Sequence, residues 1–130
     1  MTRSMLREEL FRLLFRAEFM PREELSEQKE LFFADSSMTD EEKDDISLRF
    51  DDIISKLGEI DGKLSERVTG WNIDRIGKAE LTILRLAVYE IDHDDRVPTG
   101  AAINEAVELA KKYGQDNSSS FVNGVLAKFA

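Results

Sequence analysis

The chain has 130 residues, no cysteine and a formal net charge of −9 from 18 basic and 27 acidic side chains. That length fits one domain with a real core, and the missing cysteine excludes a disulfide framework and thiolate chemistry. The missing cysteine also suits a cytoplasmic protein; the N-terminus lacks a continuous apolar region, and no run approaches the length of a membrane span.

The acidity is unevenly spread. Residues 1–20 carry four arginines against three glutamates, residues 21–70 seven basic against fifteen acidic groups, and residues 71–130 seven against nine. A strongly acidic protein is a poor phosphate binder, since that contact relies on Lys and Arg. Here the acid belongs to the middle of the chain, and both ends are less hostile to a polyanion.

With two prolines, seven glycines and none of the alternating or β-branched runs of strands, the predicted class is all-α. Leu6, Leu10, Leu13, Leu14 and Ala17 make the stripe of a first helix over residues 3–20. Arg3 and Arg7 share one face of it, Arg12 and Arg16 another. Solvated pairing with Glu8, Glu9 or Glu18 is the plain account of these arginines. Pro21 suits the first turn of a second helix reaching about Ala34, with Glu23 and Glu24 near its positive end.

Thr39 and Glu42 have the spacing of a capping box. Behind them Ile46, Phe50, Ile53, Leu57, Ile60, Leu64 and Val68 recur at steps of three and four. One long amphipathic helix is predicted, with Gly58 and Gly62 as places to bend or split it. Thr69-Gly70 ends it, Trp71 anchors the junction, and Asn72 caps a short turn to Ile76 before Gly77 breaks the chain.

From Lys78 to Asp92 no proline or glycine intervenes. Leu81, Ile83, Leu84, Leu86, Ala87, Val88 and Ile91 cover well over half the helix circumference, while Lys78, Thr82, Arg85 and Tyr89 gather in one narrow stripe. A helix of this kind is expected to be enclosed by others and open to solvent along that stripe. Glu90, on the apolar side, reads as a buried ion pair or backbone cap. A polar loop around His93 leads to Pro98, and Thr99 caps a helix that Gly114 stops. In it, Ala106 and Ala110 leave room for close packing. Asp116-Asn117-Ser118 starts the last helix, with Phe121, Val122, Val125, Leu126 and Phe129 apolar. Six or seven helices result.

Chemistry has little support. His93 lacks a second nitrogen or sulfur ligand, and the acids beside it do not follow a calcium-loop pattern. Gly77-Lys78 has the wrong spacing for a phosphate loop, and Ala79 stands where Ser or Thr belongs. Asn117-Ser118-Ser119 matches a glycosylation acceptor, but reads better as a helix start with free N–H groups. No nucleophile–base pair or distinctive carboxylate pair emerges. The helices are amphipathic, but anionic lipid would repel their acidic faces.

Three stretches carry a resemblance: WNIDRIGKAELTILRLAVYEI, VPTGAAINEAVELAKKYG and SSSFVNGVLAKFA. Together they resemble the family of the bacterial transcription antitermination factor NusB, over about 60 continuous residues. The first helix is similar more loosely, and residues 21–70 hardly at all. The resemblance implies a single domain over residues 1–130, built as two roughly perpendicular three-helix bundles. It implies binding of boxA-type single-stranded RNA of rRNA transcripts together with NusE, a ribosomal protein. It also implies loading onto the RNA polymerase antitermination complex, with support for rRNA synthesis and processing. Catalysis and cofactors are not implied, and the family includes both monomers and homodimers.

By position, the resemblance makes Arg3 and Arg7 phosphate contacts and Phe15 a stacking ring at a place usually held by tyrosine. It also puts Glu80, Arg85, Asn117 and Phe121 on the RNA face. Ser4, Met5 and Leu81 stand where the family is often more basic. That implies modest RNA affinity alone and more dependence on NusE. A protein–protein adaptor with weak or lost RNA binding is the alternative.

Overall fold

All 130 residues are described by a computed structural model. It contains seven α-helices and three short 3₁₀ turns, with no strand. They form two compact units, Met1–Ser55 and Lys56–Ala130.

The first unit holds α1 (Arg3–Ala17), α2 (Leu25–Ala34) and α3 (Asp40–Ser55). Leu10, Phe11, Leu13 and Leu14 of α1 pack with Ile46, Phe50 and Ile53 of α3 to make its core. Each such side chain contributes about 1.5–3 kcal/mol by leaving water. The capping box forms: the Thr39 N–H donates to Glu42 Oε1 at 2.9 Å, and the Glu42 N–H donates to Thr39 Oγ1 at 3.1 Å. The Arg22–Glu24 turn follows Pro21 and leads directly into α2.

The second unit holds α4 (Leu57–Arg67), α5 (Lys78–His93), α6 (Thr99–Tyr113) and α7 (Ser118–Leu126). The long helix expected from Thr39 to Val68 is thus two helices, and the second unit has four helices rather than three. The division is at Lys56 (φ −107°, ψ 8°), not at Gly58 or Gly62. There the Ser55 hydroxyl donates to the Asp52 carbonyl at 2.7 Å, a local bond that competes with helix continuation. Lys56 then offers its own carbonyl to the Ile60 N–H and starts α4.

Helix α5 packs against α4, α6 and α7. Every residue from Leu81 to Glu90 is buried. The solvent-open stripe expected on α5 is therefore absent: Thr82, Arg85 and Tyr89 are all covered, and only Lys78 in the first turn is exposed. α4 provides part of that cover, through a partner for Arg85 described below. Ala102, Ala106 and Ala110 form a buried small-residue row on α6, as close helix packing requires. Gly114 ends α6, and Gly70, at φ +75°, makes the left-handed turn after α4. No helix is long and apolar enough to cross a membrane.

Candidate nucleic-acid interface

In the first unit, Arg3 opens α1, is exposed and has no ionic partner. Arg7 lies one turn on but is only 9% exposed, so the two share a face without sharing access. Phe15 is half-buried between two other rings. It stacks on Phe11 at 5.7 Å and 14°, and meets Phe19 edge-on at 5.2 Å. The ring ladder continues outward through Phe19, which is exposed. Arg12 pairs with Glu9 at 3.2 Å, and Arg16 lies over the Phe32 ring at 5.5 Å. The second arginine pair is thus occupied within its own unit.

The second unit contains a cleft of about 840 Å³. One wall is the segment after α4, where the Gly70 turn presents Trp71 and Asn72 ahead of a 3₁₀ turn at Ile73–Arg75. The Asn72 side chain accepts from the Asp74 N–H at 3.1 Å and fixes that turn. Another part of the lining comes from the approach to α7 and its first turn, with Gln115, Asn117 and Phe121. Glu80, in the first turn of α5, also lines the cleft. Phe121 is 41% exposed, an unusual position for a large apolar ring unless something covers it.

Three expected contacts, Glu80, Asn117 and Phe121, are brought together in this cleft. Arg85 is not. Its Nε donates to Asp61 Oδ1 at 2.9 Å and its Nη2 to Asp61 Oδ2 at 2.8 Å, a two-pronged bond between α5 and α4. With Arg85 only 9% exposed, it braces two helices. Glu90 is buried and partnered, in keeping with a structural role. His93 sits on the surface beside the Tyr89 ring, with Nε2 3.5 Å from Glu59. No cluster of His, Asp and Glu suited to a metal ion is present.

Trp71, Asn72 and Arg75 were not among the expected site residues, although WNIDR carries an aromatic, an amide and an arginine directly after a helix end. Arg75 is exposed and has no ionic partner. Ser118 was also missed; its hydroxyl accepts from the Gln115 N–H at 2.8 Å and donates to Glu80.

The NusB family profile matches residues 4–130. The chain belongs to the NusB family. A NusB transcription antitermination protein of Lachnoclostridium phytofermentans is 56% identical over 98% of both chains. The NusB of Agathobacter rectalis is 53% identical over the full length of both. Among solved structures, T. maritima NusB superposes with a TM-score of 0.90 at 33% identity, covering 100% of this chain and 91% of that one. A chain from the crystal structure of a plectonemic RNA supercoil gives 0.81 at 29% identity, covering 98% and 93%. The NusB family is one of antitermination factors, not of enzymes.

Proposed function

We propose that the protein is an RNA-binding antitermination adaptor, with residues 1–130 acting as one RNA-binding domain in the cytoplasm. It binds boxA-type single-stranded RNA of rRNA transcripts together with NusE and loads onto RNA polymerase, supporting rRNA synthesis and processing. Kinship with proteins named for antitermination, and with a chain from an RNA crystal, supports this assignment. The observation that carries it is the cleft of the second unit.

That cleft has the chemistry of base recognition. Trp71 and Phe121 offer ring faces, and stacking one base on such a ring is worth about 1–3 kcal/mol. The side-chain amides of Asn72, Gln115 and Asn117 can donate to and accept from base edges. Phosphate is less well served, because Arg75 shares the cleft with Glu80 and Asp116. Arg3 is the better phosphate contact, and Arg7 and Phe15 support the helix face that presents it. Arg85 acts behind the site by holding α5 on α4.

Fluorescence titration of a labelled boxA-like RNA, with and without NusE, tests the assignment. Binding should tighten with NusE, weaken with salt and exceed that of a scrambled RNA. No gain from NusE, or no preference over the scrambled RNA, overturns it. The burial of Arg7 and Arg85 favours one second reading, an adaptor without RNA binding. A flat RNA titration beside intact NusE binding would establish that alternative.

A further inference from the structure

Glu80 is the third residue of α5 and Ser118 the first of α7, and the Ser118 hydroxyl donates to the Glu80 carboxylate. Two helix starts are thus tied by one polar contact. The N–H groups of a helix's first turn have no helical carbonyl to satisfy them, and such places attract an anion. Glycines flank the pair. A Cβ on Gly77 would strike the Glu80 carboxylate, and one on Gly114 would strike Ser118 and the Ala110 carbonyl. Neither glycine has a positive φ, so the constraint is space: a side chain at Gly114 is blocked by backbone, and one at Gly77 would displace the Glu80 carboxylate. Ser118 itself is buried and is held from behind by the Gln115 N–H.

We infer that Glu80 is a positioning residue of the cleft. Its carboxylate, fixed by Ser118, supplies the anion at these helix starts and holds the Asn117–Phe121 wall against the start of α5. The cleft is thereby kept for an uncharged nucleobase, and a phosphate is turned away. The inference rests on the RNA-binding assignment above for its ligand, but its geometry can be tested without RNA. Trp71 is the sole tryptophan and lines the same cleft, so its fluorescence reports on the walls directly.

The experiment compares Ser118→Ala, Glu80→Ala and Glu80→Gln with the unaltered protein, using acrylamide quenching of Trp71 and titration with boxA-like and scrambled RNA. Ser118→Ala and Glu80→Ala should each change the quenching constant. Each should also weaken boxA binding by roughly five- to tenfold, the scale of one charge-assisted hydrogen bond at a part-exposed site. A protein carrying both Ser118→Ala and Glu80→Ala should be no weaker than either single variant, because both remove the same contact. Glu80→Gln can still accept from Ser118, so quenching and boxA binding should be retained. With the negative charge gone, scrambled RNA should bind more tightly and with a steeper salt dependence.

Two results overturn the inference. One is a folded Ser118→Ala protein with unchanged quenching and affinity. The other is Glu80→Gln binding as poorly as Glu80→Ala, which would make the carboxylate itself the RNA contact. If Glu80→Ala does not fold by circular dichroism, Ser118→Ala against Glu80→Gln carries the same comparison. If the unaltered protein ignores boxA-like RNA, the functional assignment fails, and the quenching arm still decides the positioning role.

Discussion

In the first unit α2 has no fully buried residue, whereas in the second α5 buries ten in succession. Both are helices with several large apolar side chains, so hydrophobicity does not explain the difference. Neighbours do. α5 is packed by α4, α6 and α7, while α2 leans mainly on α1 and is fastened by polar contacts. Lys29 reaches Ser47 and Asp51 of α3 at 2.9 Å each, and Phe32 lies under Arg16. A charge on an enclosed helix must bring its own partner, as Arg85 does with Asp61. A charge on a leaning helix can remain in water. Charged side chains on an enclosed helix such as α5 should therefore be entangled with stability, and those on a leaning helix such as α2 separable from it.

The largest contrast should come from paired leucine truncations followed by urea denaturation. Leu84→Ala, at a fully buried position of α5, should cost about 3–4 kcal/mol, and Leu31→Ala on α2 less than about 0.5 kcal/mol. Similar losses at both sites would remove the distinction between the units. Next come the arginines. Arg85→Ala leaves Asp61 without its partner and should cost about 2–3 kcal/mol, short of a fully buried pair because Asp61 retains some solvent. Arg3→Ala should leave the unfolding midpoint unchanged and appear only as weaker, less salt-sensitive RNA binding. A stable Arg85→Ala protein would show that the Asp61 brace is dispensable.

Smaller effects belong to the helix ends and surface. Thr39→Ala removes one arm of the capping box and should cost about 1 kcal/mol in the same denaturation assay. Lys63 gives a pH signature in the second unit. Its hydrogen bond to Asp92, at 2.7 Å, raises its pKa above the ordinary lysine value, with desolvation opposing. Since the folded-state value is the higher one, this contact's stabilisation is complete below the ordinary lysine pKa. It is lost as pH rises through the raised value. Lys63→Met should flatten the alkaline limb of the stability–pH curve. An unchanged limb would mean that the pair is solvated in practice.

Much of the local structure was legible because its causes are local. The Thr39–Glu42 box, the Gly70 turn, the Asn72 cap and the stop at Gly114 each depend on residues within a few positions of one another. The boundaries at Lys56 and Thr99 were less legible. At the first, the Ser55 hydroxyl bonds the Asp52 carbonyl, a local contact that the hydrophobic pattern does not reveal. At the second, α6 includes Thr99 and starts after Pro98, one residue earlier than Thr99 as cap would place it. For the candidate interface, the resemblance put Glu80, Asn117 and Phe121 on an RNA face, and it is the fold that makes all three line one cleft; nothing in the sequence showed that Ser118 would fasten Glu80.

The sequence by itself determined the all-α class, most of the helices and the family, because periodicity, caps and family motifs are written in neighbouring residues. Only the tertiary structure decided which polar side chains remain open. Arg85 belongs to a polar stripe on its own helix, but Asp61, 24 positions away, covers it there. Arg75, in a short turn with no periodicity, stays exposed at the cleft. Exposure depends on what packs from outside the element, and a helical wheel contains only the element itself.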